Sequence, residues 1–289
     1  MQLVLNGAGS GAVVAVLALA FQLVYLPTRV FHFAMAALYA AAPFIVWQAL
    51  DWGVPRPAAL LLGVLGTVAL SLLAEAVNHG PIARRSGSFS AQLIASVGFY
   101  IILVQVIAVI WGNDPKALRG GADTVIPLGS VVVTGMRLWQ IAGCAALVLA
   151  FFAWLFLTRV GLLFRALSDN PRELAVRGHN VRRLRLVAFA ISGAMIGTVA
   201  ILVALDTGFY SYSGLPMLLL SVVAAIIGGR HSFLGAVIGG LLLGLVRAQV
   251  EWYLSPRWLD AATFVLLVVF LLFRPEGILA RRARLEAAA

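Results

Sequence analysis

Residues 165–205 read RALSDNPRELAVRGHNVRRLRLVAFAISGAMIGTVAILVAL. The first half is dense in arginine, whereas Leu186 to Leu205 runs for twenty residues without a charge. At about 1.5 Å per residue a helix of that length spans about 30 Å, the thickness of a bilayer's hydrocarbon core. The junction therefore reads as a membrane helix leaving a charged surface segment. The same alternation of apolar run and short arginine-bearing segment recurs along the chain. Of its 289 residues 62% are hydrophobic and 11% charged, against about a quarter charged in soluble domains. A soluble core of this size could not hide so much apolar surface.

Candidate spans fall at 3–24, 30–50, 58–77, 92–111, 138–157, 185–205, 215–229, 232–250 and 259–273. The seventh and last are short, so eight or nine crossings are expected. The expected fold class is an all-α polytopic integral membrane protein, a single permease domain over 1–289, with a short cytoplasmic helix in a loop at about 158–184. The first span lacks a basic leader and exceeds a signal peptide's apolar region, so it reads as a retained helix.

Charge sets the orientation. The formal charge is +10, and Lys116 is the sole lysine. With the 158–184 loop inside, the inner side collects Arg29, Arg84, Arg85, the seven arginines from Arg159 to Arg185, Arg230, Arg274 and the Arg281, Arg282, Arg284 tail. The outer side receives Arg56, Lys116, Arg119, Arg137 and Arg257, offset by Asp51, Asp114, Asp123, Asp206, Glu251 and Asp260. Cytoplasmic loops collect arginine and lysine in this way, which places the C-terminus inside and makes nucleic acid an unnecessary explanation of the charge.

Several chemistries are absent from the pattern. Lys116 lies in GNDPKAL, so the chain has no phosphate-binding P-loop. Cys144 is alone, and the four histidines have no metal-ligand spacing. No hydrolase constellation is visible, and the span centres hold no carboxylate for ion coupling. Glu75 and Arg247 lie near span ends, where long side chains ordinarily snorkel. Neutral polar residues remain as candidates for a solute pathway: Asn6, Ser10, His32, Gln92, Ser96 and Tyr100, with Met35 beside His32. Gln92, Ser96 and Tyr100 share one helix face at i, i+4, i+8; interhelical hydrogen bonding is the competing role. Glycines cluster within spans, Gly7, Gly9 and Gly11 in the first and Gly235, Gly239, Gly240 and Gly244 in the eighth. Close helix packing is the expected use.

The charged segment carries its own local code. Asn170 suits an N-cap, Pro171 the first helical position, and Glu173 the capping-box position three residues on. Gly178 suits the position just past the helix end. The expected helix covers about 171–177 and presents Asn170, Pro171, Arg172, Glu173, Leu174, Ala175, Val176, Arg177 and Gly178 as a docking element for a soluble motor.

These residues resemble LivH-type permeases, the membrane subunits of branched-chain amino acid ABC importers. The loop pattern R-A-x-x-x-N-P-x-x-A-x-x-x-G-I-N-V is met by Arg165, Ala166, Asn170, Pro171, Gly178, Asn180 and Val181, with Leu174 in place of Ala and His179 in place of Ile. Leu5-Asn6-Gly7, Ile94–Gly98, Gly228–Gly240 and Arg274–Leu279 resemble further family segments in the same order. The family's N-F-A-H-G reads H-F-A-M-A at His32–Ala36, and its G-x-G-S reads G-R-H-S at Gly229–Ser232. The resemblance implies a non-enzymatic permease of the bacterial inner membrane, moving branched-chain or related small amino acids. It further implies a second permease subunit, identical or homologous, two cytosolic ATP-binding subunits and an extracytoplasmic solute-binding protein. ATP and magnesium would be held by those partners and no cofactor by this chain. A stand-alone channel or facilitator for urea or a short amide is the alternative reading.

Overall fold

The computed structural model describes residues 2–85, 88–119, 124–128, 131–169, 171–229 and 232–279. Twelve α-helices are found among them: α1 (Gln2–Thr28), α2 (Ala34–Asp51), α3 (Arg56–Leu73), α4 (Gly80–Arg84), α5 (Phe89–Trp111), α6 (Gly135–Leu157), α7 (Arg159–Asp169), α8 (Pro171–Val176), α9 (Val181–Thr207), α10 (Gly214–Gly228), α11 (Phe233–Tyr253) and α12 (Leu259–Phe273). A π-helical segment, Ala74–His79, joins α3 to α4 into one long rod. Eight helices among the described residues are long and apolar enough to cross a membrane, and α10, at 15 residues, falls short.

The sequence of α1 is apolar on every side, and such a helix must be surrounded. It is: 83% of its most apolar stretch is buried, with α11, α9, α10 and α6 around it. By contrast α5 and α12 are 17% and 6% buried over theirs. They leave apolar side chains such as Ile94, Val109, Val265 and Leu272 on the outer faces.

The central contact is made by small residues. A Cβ on Gly244 would lie 2.2 Å from the Gly11 Cα, one on Gly240 2.5 Å from the Ala15 Cα, and one on Gly7 3.0 Å from the Leu245 Cα. Lipid provides no hydrophobic push between helices, so α1 and α11 hold each other by backbone-to-backbone packing that only glycine and alanine allow. Gly239 does the same toward α10, where a Cβ would meet the Ala224 carbonyl at 2.1 Å. Gly9 departs from this use: its bare backbone makes room for the Arg137 guanidinium.

Two features lie outside the sequence reading. At one end of the bundle β1 (Val125–Leu128) and β2 (Val131–Thr134) form an antiparallel hairpin, to which Gln2 adds hydrogen bonds through Val132. At the other end, eleven residues of the expected 158–184 loop form the helix α7. Its Phe164 and Leu167 are fully buried while Leu162 is exposed. The turn into α7 is tight enough that a Cβ on Gly161 would approach the Leu155 and Trp154 carbonyls at 2.4 and 2.5 Å.

The two ends differ in composition. Of the seven tryptophans, Trp47, Trp52, Trp111, Trp139, Trp252 and Trp258 lie toward the hairpin end and Trp154 toward the other. Tryptophan favours the headgroup level, and Trp52, Trp139 and Trp252 are exposed there. The opposite end gathers Arg29, Arg85, Arg159, Arg165, Arg177, Arg182, Arg183 and Arg185. The Arg230 and C-terminal arginines of the orientation reading lie outside the described residues.

Replacing Gly244 by Leu should abolish a monodisperse folded peak of the detergent-solubilised chain. Gly98→Ala, where a Cβ meets nothing within 4 Å, should instead raise the melting temperature slightly, since Ala gains about 1 kcal/mol over Gly in a helix. Fluorescence-detected gel filtration after graded heating measures both.

Candidate functional site

The expected docking segment is built as a helix with a marked end. After Val176, Gly178 adopts φ +83° and the His179 N–H donates to the Leu174 carbonyl at 3.3 Å. That is the six-to-one bond of a Schellman terminus, for which glycine avoids the left-handed penalty. Asn170 lies outside the described residues, and of Pro171, Arg172 and Ala175 only the backbone is described. Leu174 is 5% exposed and belongs to the apolar core, whereas Val176 is 88% exposed. Glu173 and Arg177 form an exposed ion pair at 2.7 Å one turn apart. Thus Leu174, where the LivH pattern has Ala, pins α8 to the bundle. Asn180 then caps α9, accepting from the Arg183 N–H at 3.1 Å.

Immediately above α8 lies a knot of buried polar groups. Arg185 donates from Nε to Glu75 Oε1 at 2.8 Å and from Nη2 to Oε2 at 3.0 Å, a two-point pair with both side chains mostly buried. Glu75 therefore does not snorkel, as its position near a span end suggested. The π segment turns it inward toward α9, and the Gly80 N–H closes the wide turn on the Glu75 carbonyl. One turn on, His79 Nε2 is 3.1 Å from His32 Nδ1, and both rings are fully buried around Phe189. The remaining ring nitrogens, His32 Nε2 and His79 Nδ1, have no hydrogen-bond partner among the described residues. His32 stands where the LivH pattern has Asn.

The candidate pathway residues divide into separate groups. His32, Met35 and Ser96 come together at the arginine end, where the Phe33 N–H donates to Ser96 Oγ at 2.7 Å. Ser96 thus ties α5 to the start of α2, in keeping with the interhelical role weighed for it. Gln92 and Tyr100 flank it on α5 and are half-buried. Asn6 and Ser10 lie at the hairpin end, far along α1. There the Asn6 carbonyl accepts from Arg137 Nη2 at 3.0 Å and from Ser10 Oγ at 3.0 Å. Arg137 also reaches Gln140 at 2.8 Å and Asp206 at 3.5 Å. Arg247, near the end of α11, donates to Thr263 Oγ1 at 2.7 Å and so bonds to α12.

Two motifs distant in sequence meet at α10. Its terminal carbonyls, on Ile227 and Gly228, accept from the N–H groups of Ile278 and Leu279 at 2.9 and 3.1 Å. The Gly229 carbonyl accepts from Gln22 Nε2 at 3.0 Å. A helix ending short inside the bundle leaves orphan carbonyls that water cannot serve, and R-P-E-G-I-L (274–279) is the segment that serves them. Gly277, at φ +87°, could carry no side chain here because a Cβ would meet the Gly229 Cα at 2.4 Å.

A bundle of eight helices long and apolar enough to cross a membrane, with a glycine-ended helix on its arginine-rich end, is the architecture of a polytopic membrane protein. Over residues 3–273 the chain matches the family described as branched-chain amino acid transport system / permease component, and it belongs to that family. It is 27% identical to the high-affinity branched-chain amino acid transport system permease protein LivH of Escherichia coli K12, over 97% of this chain and 96% of the relative. It is 26% identical to BraD of Pseudomonas aeruginosa over the same shares of each chain. The permease protein LsrC of the autoinducer 2 import system, from Escherichia coli O9:H4, is 26% identical over 73% of this chain and 66% of its own length. The fold is shared with a chain of PsaBC from Streptococcus pneumoniae, at TM-score 0.54, 12% identity and coverage of 96% and 93%. The chain is accordingly a transport component and not an enzyme.

Glu75→Gln strands Arg185 as a buried unpaired charge and should cost about 3–5 kcal/mol. The double substitution Glu75→Gln with Arg185→Met removes both charges and should recover most of that loss in the same thermal assay.

Proposed function

We propose that this chain is the membrane-spanning subunit of an ATP-binding-cassette importer of the bacterial inner membrane, carrying branched-chain or related small amino acids inward. The observation that carries the reading is α8: a six-residue helix anchored by Leu174, stopped by Gly178 and offering Val176, Glu173 and Arg177 to solvent. An exposed valine on a well-ended surface helix is the kind of knob a soluble partner's groove receives. Family membership and the names of the relatives support the substrate class.

On this reading residues Asn170 to Gly178 seat in a cytosolic ATP-binding subunit, and two such subunits serve a pair of permeases, identical or homologous. An extracytoplasmic solute-binding protein delivers substrate to the hairpin end. The single permease domain spans 1–289, the C-terminus lies in the cytoplasm, and ATP and magnesium are held by the partners. The arginine-rich end then faces inward and the tryptophan-rich end outward, as the positive-inside tendency requires. On the same reading the solute path passes Ser96, Gln92 and Tyr100 of α5, of which Ser96 is buried and the other two half-buried.

In proteoliposomes holding the complete assembly, Gly178→Val forces a β-branched residue into a left-handed conformation, at about 1–2 kcal/mol, and Leu174→Asp releases the anchor. Both variants should insert normally yet lose at least tenfold of substrate-stimulated ATP hydrolysis and of leucine uptake. Uptake at the unmodified rate, or leucine flux through this chain with no ATP-binding subunit present, would falsify the importer reading.

A further inference from the structure

At the hairpin end a strap crosses the mouths of α2, α9 and α10. Lys116 and Phe209 exchange backbone hydrogen bonds at 2.8 and 2.9 Å, and Ser211 Oγ donates to the Gly112 carbonyl at 2.8 Å. Beneath the strap lies a cavity of about 240 Å³ whose walls include Tyr39, Pro43, Val203, Phe209 and Met217. A second hollow of about 400 Å³ adjoins it, sharing Lys116, Ala204, Thr207 and Gly208, and brings Asp206 and Arg119 to the rim. Together they form one funnel, polar at the mouth and apolar at the floor.

The charges at the mouth are only partly used by the protein. The Lys116 ammonium lies 4.5 Å from the Trp47 ring centroid, and it has no carboxylate partner among the described residues. Asp206 is held by Arg137 only at 3.5 Å, beyond the range of a strong charge-assisted bond. On the floor, Ser213 Oγ is buried with no hydrogen-bond partner among the described residues. A cation and an anion at one rim above a narrow apolar floor match a small zwitterion with an aliphatic tail. The smaller cavity equals about eight waters of liquid volume, enough for a short branched side chain. The described residues bring no three His, Cys, Asp or Glu side chains together.

We propose that this funnel is a receiving site for an α-amino acid with an aliphatic side chain. The carboxylate meets Lys116, the ammonium meets Asp206 and the side chain enters between Val203, Met217 and Tyr39. The proposal rests on the importer reading above and adds to it a site within the permease itself, used after the solute leaves its binding protein. Pockets of this kind, apolar with a few placed polar groups, hold small ligands at low entropy cost.

The test uses the complete permease–ATPase assembly in nanodiscs without binding protein, titrated with radiolabelled L-leucine. Saturable binding is expected, weakened at least tenfold by Lys116→Ala and abolished by Val203→Phe, which fills the floor. Lys116→Ala keeps the fold, because backbone bonds and not its side chain hold the strap. L-Leucinamide, without a carboxylate, should compete at least tenfold less well than L-leucine. Leucine uptake by the full system is measured in parallel. Normal uptake with no saturable binding, or with binding indifferent to Lys116→Ala and to loss of the carboxylate, overturns the site and leaves the importer reading standing. Absence of leucine uptake by the unmodified full system overturns the importer reading and the assigned ligand with it.

Discussion

The close approach of α1 and α11 sets the arrangement of everything else. In lipid, two apolar helices gain nothing from leaving their solvent, so their contact must come from shape. Gly7, Gly11 and Ala15 on one side and Gly240 and Gly244 on the other strip the seam to bare backbone. With α11 locked against one face, α9, α10 and α6 take the remaining faces of α1. The same device recurs where Gly193 and Gly197 of α9 meet Thr67 of α3, and where Gly214 meets the Ala36 carbonyl. Glycine in these helices is costly for intrinsic helicity, and the closeness it permits is what offsets the cost.

Wherever the helices are irregular, a polar group has been placed to use the irregularity. The π segment at Ala74–His79 rotates Glu75 and His79 into the bundle, toward Arg185 and His32. The short α10 ends inside the protein because the 274–279 segment supplies its missing donors. Gly228 and Gly229, which open the first of two sequence signatures, and Gly277 to Leu279, which close the second, are thus two halves of one backbone junction. Each half alone would leave unsatisfied groups in a place without water.

Much of this was legible in the sequence, and for definite reasons. Apolar runs, arginine placement and the stop signal at Gly178 depend on local rules, and the spans and the end of α8 follow from them within a few residues. The glycine seam was legible as a stripe, although its partner was not. What escaped depends on tertiary position. Glu75 looked like a snorkelling end residue because its inward turn comes from a π-helical register, which no periodicity announces. The helix α7 hid inside a segment read as loop because its charges at Arg159 and Arg165 outweighed the stripe of Val160, Phe164 and Leu167. The candidate pathway residues were chosen as polar groups in apolar spans, a criterion that cannot tell a wall from a brace. Ser96 accepts from the Phe33 N–H and the Asn6 carbonyl accepts from both Arg137 and Ser10, while the Lys116 funnel lies in a loop between spans, where that criterion does not look.

The arginine end supplies a physical account of how a partner pressing on α8 would act on the bundle. Leu174 fixes α8 to the core, and α8 packs on both α7 and α9. From α9, Arg185 grips Glu75 in the π segment; His79 of that segment meets His32 in the elbow between α1 and α2; and Phe33, next in the elbow, is held by Ser96 of α5. From Arg185 onward every link is a buried or partly buried hydrogen bond or ion pair, and none can stretch far without exposing an unsatisfied group in a medium that cannot solvate it. Displacement of α8 must therefore move these elements together or break a link outright. A bundle tied in this way responds as a rigid plate at its inner end. The hairpin end, secured mainly by the Lys116–Phe209 strap and the hydrogen bonds of Arg137 and Gln2, is where relative motion of the helices would open or close the funnel.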